Sequence, residues 1–170
     1  MGVGASNVLA RLAASVGQLS FVTPVFQPAL DVSYGGTLMA LPALLAMGLL
    51  DNAASFLKLP AGYYGLDSIL LLQAFMALAR LQSIEALRHS SPGEWGKLLG
   101  LDRAPEVRTL RQKIHCLADG DKANEWGAAL CERWMQTTPL AAGTLYVDGH
   151  VRVYHGSQTQ LPRHHVARQK

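Results

Sequence analysis

Apolar residues recur with helical spacing through most of the chain, and the period shortens to two only in "TLYVDGHVRVYHG", residues 144–156. The first helical pattern places Val8, Leu9, Leu12 and Val16 on one face, with Ser6 as the expected N-cap. "FVTPVFQPALDVSYGG" follows, and Pro24 and Pro28 exclude a helix interior, so this stretch reads as an extended arm. Residues 36–50 read as one hydrophobic helix, entered or kinked at Pro42. After the loop "KLPAGYYGLDS", Asp67 is expected to cap a helix from Ser68 to about Leu81. That helix is apolar on nearly every side, which predicts burial on several sides.

"SIEALRHS" predicts a further short helix, and "SPGEW" is a strong start signal. Ser91 can cap, Pro92 suits the first helical position, and Glu94 completes a capping box three residues after the serine. This helix runs to Gly100, and Pro105 opens another, "PEVRTLRQKIHCLADG". Its Val107, Leu110, Ile114 and Leu117 form one stripe, and Arg108, Arg111 and His115 form a second. A last amphipathic helix, about Asp121 to Met135, has Trp126, Leu130 and Trp134 as anchors, and "TTPLAAG" marks a boundary. Beyond it, Leu145 and Val147 alternate with Tyr146 and Asp148, and a second run spans His150 to Tyr154. Asp-Gly between two alternating runs is the sequence of a tight hairpin turn. The expected fold is therefore mainly α, a multi-helical region followed by a C-terminal β-hairpin. Three segments follow from this: an N-terminal helix and arm at 1–34, a helical region at 35–138, and the hairpin segment at 139–170.

Composition narrows the class. Apolar residues are 49% of the 170 and charged ones 16%, which favours a packed core over disorder. The two hydrophobic runs at 36–50 and 68–81 are shorter than the roughly 18–20 apolar residues that span a bilayer, so no membrane segment is expected. Cys116 and Cys131 form no metal-binding or disulfide pattern and suit a reducing cytoplasm. The formal net charge of +3 permits nucleic-acid binding without demanding it. Its distribution says more. The first 79 residues are nearly uncharged, and cations then gather at Arg80, Arg88, Lys97, Arg103, Arg108, Arg111 and Lys113. After Asp148 there is no acid, although Arg152, Arg163, Arg168 and Lys170 follow.

Two constellations could carry chemistry. The helices at 92–99 and 105–118, joined by a short turn, resemble a helix-turn-helix, in which the second helix enters a major groove. Arg108, Arg111 and Lys113 would then reach phosphates or base edges, although arginines also commonly fill solvated helical faces. Asp148 is either a turn residue or a carboxylate at a strand end, suited to hold Mg²⁺ with oxygen ligands. Two-metal phosphoryl chemistry would need further carboxylates beside it. His150, His155, His164 and His165 lack cysteine companions, and phosphate contact or plain surface polarity explains them better than zinc. Asp31, Asp51, Glu125 and Glu132 fit solvated positions.

Across roughly residues 35–170, the motifs "PGEWGKLLGLDR", "PEVRTLR" and "YVDGHVRVYHG" resemble bacterial transposases of the DDE type. The resemblance implies a helical DNA-binding region before a catalytic core with the ribonuclease H-like fold. It makes Asp148 the first acidic residue of a metal-binding triad and "HVRVYHG" the second strand of the core. It also implies Mg²⁺ or Mn²⁺ as cofactor in the intact family, transposon-end DNA as partner, and no small-molecule substrate. Lys97, Arg103, Arg108, Arg111, Lys113 and Arg152 become the candidate DNA contacts. A homo-oligomer and a bacterial cytoplasmic, nucleoid-associated location are expected with it. Because the chain stops about one hairpin into such a core, the expectation is a truncated transposase, inactive alone. The alternative is a non-catalytic helical module that binds DNA or protein.

Overall fold

In a computed structural model the chain divides into two units, Met1–Thr137 and Thr138–Lys170. The structure describes residues 7–139 and 143. The hairpin expected at 144–156, with Asp148 and Arg152, lies outside them. Among the described residues every regular element is a helix and none is a strand, so the expected mainly-α class holds there without its β component.

The first helix, α1, spans Val8–Ser15. Its cap is Asn7 rather than Ser6: the Asn7 side chain accepts the Ala10 N–H at 3.2 Å. The arm that follows is extended and pinned by its backbone. Val22 N–H donates to Tyr63 O at 3.1 Å, Gly62 N–H to Ser20 O at 3.1 Å, and Val25 N–H to Gly100 O at 2.8 Å. The prolines therefore leave backbone groups that other loops satisfy.

The single helix expected at 36–50 is broken. A 3₁₀ helix, Gly35–Ala40, runs into the short α2, Leu41–Ala46, with Pro42 in its first turn. Gly48, at φ +82°, then turns the chain before α3, Ala53–Phe56. The most hydrophobic helix, α4, spans Leu66–Leu78. It begins before the expected cap, so Asp67 sits inside the first turn, where a carboxylate complements the helix dipole. It also ends earlier than expected, because Arg80 adopts a left-handed backbone at φ +58°. Ile69, Leu72 and Phe75 of α4 are fully buried, as the all-round apolar pattern requires.

A second 3₁₀ helix, Ile84–His89, precedes α5, Pro92–Leu98, and α6, Val107–Asp119. Trp95 and Leu98 from α5 and Leu110 from α6 complete the fully buried centre with the three α4 side chains. Tyr34 packs on Trp95 with ring centroids 5.1 Å apart. The last helix, α7, spans Ala123–Thr137 and lies against α3. It buries none of its residues. Trp134 holds on by its indole N–H, which donates to Met47 O at 2.7 Å, and Arg133 pairs with Asp51. Among the described residues no helix is long and apolar enough to cross a membrane.

Candidate nucleic-acid interface

The connection from α5 to α6 is held by close backbone packing. Gly100 takes φ +65°, and Leu101 N–H returns to Gly96 O at 2.8 Å, closing the end of α5. Gly96 touches the backbone of Arg103 so closely that a β-carbon there would overlap it. Ala104 N–H then reaches Pro92 O at 2.8 Å, tying the end of the turn to the start of α5. The capping box expected at α5 does not form. Ser91 makes no side-chain cap bond, and Glu94 accepts the Ser33 N–H at 2.9 Å and binds Lys97 at 2.7 Å. These two interactions, Lys97 first, hold the Glu94 carboxyl below its usual range.

On α6 the inward stripe is as expected: Val107, Leu110 and Leu117 are buried and Ile114 packs beside them. The helix lies against the 3₁₀ helix Ile84–His89. Away from the buried stripe, Arg108, Gln112, His115 and Asp119 are exposed at i, i+4, i+7 and i+11, with Arg108 bordering a cavity shared with Leu87 and Arg88.

The candidate cations fall into different environments. Lys97 is only 16% exposed at its side chain and is committed to Glu94. Arg103 is exposed, while its backbone is tied down: its carbonyl accepts the Tyr64 hydroxyl at 3.2 Å. Arg108 is exposed and makes no ion pair among the described residues. Arg111 pairs with Glu85, which also holds Arg88 at 3.0 Å. Lys113 is half-buried on the flank of α6, and that burial lowers its pKa. Among the described residues, therefore, Arg103 and Arg108 present cations without an ion pair, whereas Lys97 and Arg111 would have to leave a carboxylate to meet phosphate.

A cluster that the periodicity did not reveal anchors the same turn. Arg11 of α1 grips Asp102 with both faces of a fork, Nε to Oδ2 at 2.6 Å and Nη2 to Oδ1 at 2.5 Å. Tyr63 donates its hydroxyl to the same Oδ1 at 2.7 Å, and the Arg11 guanidinium stacks 3.9 Å over the Tyr63 ring. Burial pushes the Asp102 pKa up, but the bonds from Arg11 and Tyr63 outweigh it, and the net shift is downward. The Tyr63 hydroxyl is pushed well above its ordinary value by burial and by the Asp102 carboxylate. One signal was present in the sequence: Arg11 is the sole cation before Lys58, in a stretch otherwise nearly uncharged. Its partner, 91 residues away, could not be read from local spacing.

The described residues offer no group of three or more His, Cys, Asp or Glu able to hold a metal ion. Asp148, on which the expected divalent-cation site centres, lies outside the described residues. No curated protein and no solved structure matches the chain. A family model described as a transposase protein matches residues 2–170, nearly the whole length, and the chain belongs to that transposase family.

Proposed function

We propose that this protein is a transposase of the DDE type and that it binds DNA through the outward face of α6. The observation that carries the DNA reading is the row Arg108, Gln112 and His115, exposed on the second helix of a tightly turned pair. These side chains supply donors and acceptors of the kind that contact base edges and phosphates. Arg103, at the turn before α6, adds a cation beside the start of that helix. Membership of a transposase family supports DNA as the partner. The DDE assignment rests on the motif around Asp148, which would make that residue a Mg²⁺ or Mn²⁺ ligand together with further carboxylates.

The DNA reading is tested by fluorescence anisotropy with candidate element-end duplexes at several salt concentrations. Arg108→Ala is expected to weaken binding about 5-fold or more and, if the contact is to phosphate, to lower the salt slope by about one. Arg111→Ala should have the smaller effect, because Arg111 already spends its charge on Glu85. Equal affinity for wild type and Arg108→Ala, or a slope near zero, would return α6 to an ordinary solvated face.

A further inference from the structure

The start of α4 is left uncapped beside a cavity. Its N-cap is Gly65, which has no side chain to offer, and a β-carbon there would run into Phe21 of the arm. Among the described residues, the N–H groups of Leu66, Asp67 and Ser68 in the first turn find no acceptor. Gly65 and these residues line a cavity of about 560 Å³ between the arm, the loop at 57–61 and α4 itself. Ser68 is the buried polar residue among those described, at 7% exposure. Its hydroxyl makes no hydrogen bond among the described residues, yet it is not sealed off, as the indole nitrogens of Trp95 and Trp126 are. A buried hydroxyl left open and unbonded is the position that a bound molecule or a water fills. Two opposite charges line the same cavity. Lys58 and Asp67 are both exposed, and neither makes an ion pair among the described residues. Phe21, Pro24, Leu57 and Leu59 supply apolar wall.

We propose that this cavity binds an amino acid with a large apolar side chain, taken as its zwitterion. The free N–H groups of the helix start and the Lys58 ammonium favour a carboxylate, and the Ser68 hydroxyl can donate to it. Asp67 excludes a simple anion as the fitting ligand. Its carboxylate already offsets part of the helix field and repels a second negative charge, but it is the acceptor that an α-ammonium needs. A simple cation meets the reverse problem in Lys58 and the dipole. Only a ligand carrying both signs answers both residues, and the apolar wall then takes its side chain. The volume falls within the roughly 300–1,000 Å³ of small-molecule sites. Nucleic acid is a poor occupant, because one lysine faced by an aspartate gives a phosphate no net attraction. The site stands apart from the DNA reading, since no residue of α6 lines it.

The test is isothermal titration calorimetry of the full chain with L-leucine, L-methionine, L-phenylalanine and L-tryptophan. For whichever binds, the N-acetyl form, which lacks the ammonium, and the amide, which lacks the carboxylate, are titrated beside it. Each derivative is expected to bind at least ~10-fold more weakly than the free amino acid, as loss of a charge-assisted partner implies. Ser68→Ala should weaken binding about 5-fold without lowering the melting temperature, because its hydroxyl satisfies nothing in the free protein. Lys58→Met should weaken binding of the amino acid but not of its amide, and Asp67→Asn should weaken binding of the amino acid but not of its N-acetyl form. A merely structural role for either residue would move both ligands together. The absence of binding by all four amino acids up to about 10 mM overturns the proposal. So does binding that the three variants leave unchanged, or an N-acetyl form that binds as tightly as the free amino acid.

Discussion

Trp95→Ala is expected to lower stability by about 3–5 kcal/mol, the range for removing a fully buried large aromatic side chain. Trp95 is 1% exposed, packs on Tyr34 and shares the centre with Phe75, Leu98 and Leu110, so the surroundings have little room to collapse into the gap. Against a typical domain stability of roughly 5–15 kcal/mol, a loss of that size would leave a large unfolded fraction at physiological temperature. The comparison that gives the result meaning is Trp95→Phe. Among the described residues the indole Nε1 of Trp95 is buried with no hydrogen-bond partner, so phenylalanine removes an unsatisfied donor along with some volume. Its cost should be about 1–2 kcal/mol, less than half that of alanine. Chemical denaturation of the three proteins checks this. Equal losses for phenylalanine and alanine would mean that the indole N–H is satisfied in solution.

Asp102→Ala should cost about 2–3 kcal/mol, and its effect should depend on pH. The carboxylate is 9% exposed and neutralises Arg11, whose side chain is 25% exposed. Removing it strands a partly buried guanidinium and the Tyr63 hydroxyl together. The partial exposure of Arg11 keeps the figure below that of a fully buried pair. Because the folded-state pKa of Asp102 lies below its unfolded value, the ionised group stabilises the fold. That contribution is complete above the unfolded pKa of about 4 and is lost as pH falls through the depressed folded value. The stability gap between wild type and Asp102→Ala, measured in urea, should therefore be wide at pH 7 and narrow toward pH 3. A gap constant over that span would separate Asp102 from the linkage. Adding Arg11→Met should recover part of the loss, since the stranded charge is then gone.

Local physics explains which elements were legible beforehand. The inward stripe of α6 and the burial of α4 could be read directly, because helical periodicity and an all-round apolar surface each leave one packing solution. The boundaries were less legible where a distant group intervened. Glu94 had the spacing of a capping box, yet Ser33 and Lys97 offered it better partners, and Ser33 is 61 residues away. The 36–50 segment had enough apolar residues for one helix, but Gly48 and Pro42 punctuated it more strongly than composition suggested. The cations of the candidate interface stand out by their clustering; the Lys97 pairing with Glu94 is a local i,i+3 pair, whereas Arg111 meets Glu85, 26 residues away, only in the folded chain. The orientation of α1, with Leu9 and Leu12 exposed and Arg11 on Asp102, was hidden for the same reason. Its periodicity gave an amphipathic helix, and the core-facing side was then decided by Asp102.

The Arg11–Asp102 fork has a consequence during synthesis. The chain leaves the ribosome from its N-terminus at about 5–20 residues per second, so Arg11 waits roughly 5–20 s before the residue 91 positions later exists to receive it. Throughout that interval Arg11 lacks its carboxylate, although Tyr63 and Tyr64, which it also touches, emerge earlier, and the apolar side of α1 is carried in a nearly uncharged segment. If the fork guards the nascent chain against mispairing, slowing translation upstream of the Asp102 codon should lower the soluble yield.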